Sequence, residues 1–234
     1  MTKPMILFSF DVETTGLDFD KDDIVEFSSL FYDGQDVMTT DEFINSDMDS
    51  TEIALSKHHL THQRLEELST GKSQTDALKD VYEYFKFCSG LALLVGMNMQ
   101  FDLTMMKQNF KRHLHEEQDI DTFFDSLACF DIYVIDKVLR KRTYGTNRKL
   151  GTLAEVYGAM TKPDHSAKND AKCTLEIAIS QIEQLDKLGI DCTCRSLSEY
   201  CKKAYFETTE EYNRWLQDTG KEKVIASWPL HYGY

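Results

Sequence analysis

Carboxylates stand at three places in this chain where their neighbours suggest chemistry. Asp11 and Glu13 close the apolar stretch MILFSFDVETTG. Side chains alternate along a strand, so these two acids share one face and Val12 takes the other. Like charges side by side repel, more so when partly buried, and a bound cation would remove that cost. A lone Asp-x-Glu also fits a strand end before a turn, for which Thr14-Thr15-Gly16 is suitable chemistry. Asp102 follows the apolar run LALLVG and opens a helical stretch, which puts it at the carboxyl end of a strand, where open α/β sheets hold their sites. A first-turn acid also complements the helix dipole. Asp170 lies in DHSAKNDAK, where Pro163 and Asp164 announce a helix start. His165 is too far round that helix to share a face with Asp170, so the two meet only if His165 stands on the preceding loop.

Four oxygen donors, Asp11, Glu13, Asp102 and Asp170, suit two hard divalent ions such as Mg²⁺ or Mn²⁺. Two ions about 3.5–4 Å apart clamp the attacking and leaving oxygens of a phosphoryl displacement. His165 would add a base with a pKa near the working pH.

The elements that must position these groups follow from periodicity. Segments 5–13, 24–32 and 36–45 read as strands, the last two joined by the hairpin signal Asp33-Gly34. Helical spacing marks 61–69 and 74–88, where Leu78, Val81, Tyr82 and Phe85 fall on one face. Residues 91–96 suit a buried parallel strand; 100–114 reads as a helix, 121–131 as a strand, 132–142 as a helix. A short helix at 150–158 and a long one at 167–188 complete an α/β layer fold with a mixed sheet. Residues 189–234 change texture, with cysteines, charges and many aromatics, and read as a C-terminal extension of unassigned role beyond a 1–188 domain.

The 234 residues carry a net charge of −14. That argues against broad electrostatic binding to nucleic acid, whose phosphates supply most non-specific affinity. An enzyme gripping a strand end through metals or a local basic patch stays compatible with it. The absence of a signal-peptide pattern, of a membrane-length apolar run and of a paired cysteine framework points to a cytoplasmic protein with reduced thiols. Cys192, Cys194 and Cys201 do not match zinc-ligand spacing.

DVETTG, MNMQFD and HSAKNDA, in that order and at those separations, resemble the three motifs of the DnaQ-like 3′–5′ exonucleases of the histidine-bearing DEDD subclass. The resemblance covers roughly residues 5 to 188 and implies a ribonuclease-H-like mixed sheet flanked by helices. Met97 stands where many members have a histidine before Asn98; that histidine is not a metal ligand. The resemblance makes Asp11, Glu13, Asp102 and Asp170 the ligands of two divalent ions and His165 the base. It brings Thr14, Thr15, Gly16 and Leu17 against the terminal nucleotide, with Asn98 and Phe101 beside them, although Phe101 reads equally as core. The implied activity is release of nucleoside 5′-monophosphates from a 3′ end. DNA is the first reading, in proofreading or repair with a polymerase or replication partner. RNA, as in RNase T or oligoribonuclease, is the alternative, and an inactive nucleic-acid-binding scaffold a third.

Residues 137–149, KVLRKRTYGTNRK, gather Lys137, Arg140, Lys141, Arg142, Arg148 and Lys149 with no acid among them. A solvated helix end would look the same. The run lies between the second and third motifs, so Arg142, Arg148 and Lys149 are expected to follow the substrate backbone.

Overall fold

The computed structural model describes residues 5–114, 117–141 and 147–234. Its centre is a five-stranded sheet in the order β3-β2-β1-β4-β5. Strands β1 (Leu7–Thr14), β2 (Ile24–Tyr32) and β3 (Val37–Phe43) are antiparallel neighbours. Strands β4 (Leu93–Gly96) and β5 (Cys129–Asp131) join parallel to β1 and to each other. The β2–β3 turn forms at Asp33-Gly34, where the Asp33 carboxylate accepts the Gln35 and Asp36 N–H groups at 2.9 Å each. This is the ribonuclease-H-like mixed sheet flanked by helices.

Alternation along β1 sorts its side chains between two cores. Phe8, Phe10 and Val12 join one buried cluster, and Leu7 joins the other. The first cluster is capped by α3 (Gln74–Ser89) and α4 (Gln100–Leu114). Ser73 starts α3 by accepting the Asp76 N–H at 3.1 Å, and Leu78, Val81, Tyr82 and Phe85 then turn inward. Phe85 meets Phe10 at 5.2 Å and Phe8 at 5.6 Å between ring centroids. Each such fully buried phenylalanine contributes about 1.5–3 kcal/mol. The opposite face is covered by α8 (Ala167–Lys187) and α7 (Leu150–Tyr157). There the Ser9 hydroxyl donates to the Ala171 carbonyl at 2.7 Å, fixing α8 against β1. Ser9, Asp11 and Glu13 alternate along this same α8-facing side.

Of the stretch 121–131, expected as a strand, only the last three residues are one, and 121–125 are helical. Helix α5 (Glu117–Asp125) precedes a β5 of only three residues. Ile120, Phe123, Phe124 and Leu127 have helical spacing, and the first and third are fully buried. Helices α1 (Glu52–His58) and α2 (His62–Leu68) bridge β3 and α3; α1 lay in a stretch without a clear periodic signal. Helix α6 (Ile132–Leu139) starts at Asp131.

Beyond residue 188 the chain forms one long helix, α9 (Cys194–Asp218). Its Leu197, Cys201 and Ala204 are buried in the same cluster as Leu93, Val95 and Phe130. The segment after α9 returns across the molecule, and Leu230 buries itself in the α3/α4 cluster. All six cysteines are free thiols. Among the described residues no helix is long and apolar enough to cross a membrane.

Candidate active site

The β1 strand ends in an irregularity that re-aims the chain. Glu13 pairs with Glu26, but Thr14 pairs with Ile24, so one residue of β2 is skipped. A tight turn follows. The Thr14 hydroxyl donates to the Gly16 carbonyl at 2.7 Å, and the Thr15 hydroxyl to the Asp22 carboxylate at 3.0 Å. A Cβ on Gly16 would collide with that Asp22 carboxylate, so a larger residue there would have to push Asp22 off the Thr15 hydroxyl and the Asp18 N–H. Asp23 ties the turn to the loop after β3, to α3 and to α4. Its carboxylate receives Ser46 and Gln74 at 2.7 Å each, Arg112 at 3.1 Å and the His113 ring at 3.2 Å. Burial alone would raise its pKa, but these donors hold it well below the usual range. The turn thereby presents Leu17 to solvent, 74% exposed.

Asp102 enters from α4. Between β4 and α4 the backbone bends through Asn98, at φ 53°. The Asn98 and Met99 N–H groups donate to the buried Asp131 carboxylate at 3.0 Å each, and the same carboxylate caps α6 through the Tyr133 N–H at 2.9 Å. Asp102 is 9% exposed, and the backbone N–H groups of Asp102 and Val12 favour its charged form against burial. The Asn98 side chain is exposed. Phe101 is half-buried, with its ring 5.5 Å from Phe19.

Asp170 and His165 arrive together from the start of α8. Ser166 caps the helix by accepting the Asn169 N–H at 3.4 Å. Asp164 is held by the Ser166 hydroxyl and the Asn169 amide at 2.7 Å each, and its own N–H reaches Asp170 at 3.1 Å. This loop leaves His165 exposed at φ 63°. It stands before the helix, as the spacing to Asp170 requires.

These carboxylates act on one another. Burial raises the Asp11 pKa far above the usual carboxylate range, and the charges of Asp102, Glu13, Asp170 and Glu26 add to that. Glu13 is pushed up to about 8 by burial, then by Glu26, Asp170 and Asp102. Asp102 is also pushed up to about 8, by burial first and then by Asp131, against its two N–H donors. Burial raises Asp170, with the His165 charge acting the other way. A set of buried and half-buried acids that disfavour one another's charge is suited by donor chemistry to hard divalent cations. Their oxygens do not form a closed coordination shell: among the described residues no three His, Cys, Asp or Glu side chains are arranged to hold one ion. The fit rests on donor type and mutual field.

Two further acids were not singled out from the sequence. Glu26 faces Glu13 across the β1–β2 register, is 5% exposed, and is pushed up to about 7 by burial, against the Ala167 N–H that donates to it. A charged residue inside IVEFSSLFY was the available signal. Asp131 had no such signal, because an acid before a helix is ordinary capping.

The basic run is largely engaged within the chain. Arg148 does not stand out toward a ligand. Its Nε meets Asp136 at 2.6 Å, with the two side chains 10% and 1% exposed. Arg140 lies 4.8 Å from the centre of the Tyr157 ring, Lys137 4.2 Å from that of Tyr133, and Lys141 pairs with Glu211 at 2.5 Å. Lys149 is exposed at the start of α7. Arg142, with residues 143–146, lies outside the described residues.

A β1 carboxylate pair, an acid on the helix after β4 and a His-then-Asp helix start on a ribonuclease-H-like sheet define a nuclease type of scaffold. A sequence profile described as "Exonuclease" matches residues 8–178. The chain belongs to the DnaQ-like exonuclease family. It is 30% identical over 169 residues to a DNA polymerase III of PolC type from Lacticaseibacillus paracasei, covering 70% of this chain and 10% of that protein. It is 26% identical over 221 residues to the 3′-5′ exonuclease DinG of Staphylococcus aureus, covering 91% of this chain and 23% of that one. The chain thus spans a tenth to a quarter of the length of these relatives. Escherichia coli Exonuclease I, solved with a dT13 oligonucleotide, shares the fold at a TM-score of 0.62 and 17% identity, over 82% of this chain and 45% of that one.

Proposed function

We propose that this protein is a metal-dependent 3′–5′ exonuclease acting on DNA single strands or frayed 3′ ends. The observation that carries the reading is the mutual field of Asp11, Glu13, Asp102 and Asp170 beside the exposed His165. In this reading the four carboxylates hold two divalent ions, Mg²⁺ or Mn²⁺. Such ions, when bound, stabilise charge at the scissile phosphate and on the departing 3′-oxygen. A His165 ring nitrogen accepts the proton of the attacking water, free to do so because its loop keeps the ring in solvent. Asp131 keeps Asp102 in place by clamping the turn before it. The stiff Thr14–Leu17 turn and Phe101 receive the terminal nucleotide, with Asn98 at the edge. A nucleoside 5′-monophosphate leaves.

The preference for DNA draws on the polymerase relatives and the oligonucleotide bound to Exonuclease I, as does a place in replication or repair beside a polymerase. Lys149, with Arg142, supplies the backbone contact in this reading; Arg148, committed to Asp136, is left out of it. The test is digestion of matched 5′-labelled DNA and RNA single strands in Mg²⁺ or Mn²⁺. The expected result is stepwise shortening from the 3′ end, faster on DNA, and none in EDTA. Intact strands under all metal conditions would overturn the nuclease reading, and faster loss of RNA would reassign the substrate.

A further inference from the structure

The segment after α9 ends at the doorstep of the candidate site. The Gln100 amide, in the first turn of α4 with Asp102, donates to the carbonyls of Ser227 at 2.6 Å and Leu230 at 2.9 Å. One turn on, the Thr104 hydroxyl accepts the His231 N–H at 2.9 Å. With Leu230 buried as the anchor, the next residues are delivered to the loop after the Thr14–Leu17 turn. There the Phe19 ring meets His231 at 5.0 Å, Tyr234 at 5.2 Å and Phe101 at 5.5 Å between centroids. The Tyr234 hydroxyl reaches Asp20 at 3.3 Å. Tyr234 is 38% exposed and the other three rings are half-buried. A ring cluster serving only as core would be sealed, as Phe8 and Phe85 are.

We propose that Phe19, Phe101, His231 and Tyr234 form a stacking surface for the bases at the 3′ end of a single strand, completed by residues 230–234. Phe101 directly precedes Asp102, and Phe19 lies two residues past Leu17, so the surface continues outward from the terminal-nucleotide position. Its rim carries Asp20 and Asp18, the latter paired with Lys21 at 2.9 Å, while the Asp22 carboxylate is turned to Thr15. Phosphates are repelled there, whereas bases stack on aromatic faces without needing a cation. So acidic a chain thereby holds a polyanion by its bases. The inference rests on the nuclease reading and deepens it.

The test measures binding of 5′-fluorescein dT oligonucleotides by anisotropy, with calcium replacing magnesium, for the wild type, His231→Ala/Tyr234→Ala and Tyr234→Phe. A second probe carries abasic residues at its last three positions. The expected result is a Kd about 5- to 100-fold weaker for the double variant on the full probe, in the range of one or two lost stacks. That ratio should collapse toward one on the abasic probe, and Tyr234→Phe should bind as wild type because it keeps the ring. If the double variant does not fold, Tyr234→Ala alone carries the comparison. Equal weakening on both probes would mean that the segment only braces α4, and no weakening would mean that it is bystander surface; either overturns the proposal. A wild type that binds both probes alike also overturns it. Digestion of the full probe in magnesium then shows whether the nuclease reading stands without it.

Discussion

At the residue scale, burial and mutual repulsion make the four carboxylates and Glu26 a liability without cations. Their folded-state pKa values lie above the ordinary carboxylate values, so folding favours their uncharged forms. The stability linked to them is fully present below pH ~4. It is lost as pH rises through about 7 for Glu26 and about 8 for Glu13 and Asp102. In EDTA, the thermal midpoint should therefore fall between about pH 5 and pH 8, and added Mg²⁺ or Mn²⁺ should restore it most at the alkaline end. A midpoint flat in pH, with no response to metal, would contradict the ligand assignment. His165 makes a different prediction because it is exposed and braces no core. His165→Ala should melt like the wild type yet turn over about 10²–10⁴-fold more slowly. Near-wild-type turnover in this variant would leave His165 without a proton to move.

At the element scale, the β4–α4 turn depends on an acid contributed by β5. Asp131 satisfies two backbone donors of that turn and one of α6, with 2% of its surface exposed. Asp131→Ala would strand those donors at a cost of about 1–3 kcal/mol per unsatisfied buried group, read as a shifted urea midpoint. Because the same turn aims Asp102, activity under conditions where the variant is fully folded should fall about 10–100-fold, the usual effect of losing a residue that orients a ligand. Full activity in the folded variant would mean that α4 is positioned by its apolar packing alone.

At the scale of the whole molecule, the net charge is −14, and of the basic run Lys141 and Arg148 meet acidic partners within the chain while Lys149 stays exposed. Affinity for a single strand should accordingly depend weakly on salt. Each phosphate contact contributes about −0.7 to the log–log slope, so the slope should be no steeper than about −2. A slope near −4 would reveal a cationic track. Helix α9 and the segment after it complete this picture, since they close one core and bring His231 and Tyr234 against Phe19.

Local periodicity in the sequence was enough to place Asp11 and Glu13 on one strand face and Asp102 at the head of α4, and to require a loop position for His165 if it is to meet Asp170. Each of those relations spans only a few residues. The same local pattern in Ile120, Phe123, Phe124 and Leu127 reads as helix once it is counted, although the flanking apolar residues suggest a strand. Relations across the fold had no such footprint. The register that sets Glu26 against Glu13 follows from a skipped residue after a long turn. The Asp131 clamp joins positions 33 residues apart, and Gln100 holds a carbonyl 130 residues away. The burial of Arg148 on Asp136 was equally invisible, because a charge run looks alike whether solvated or paired. Backbone periodicity is a property of neighbouring residues, whereas register, burial and pairing are decided by which distant surfaces exclude water together.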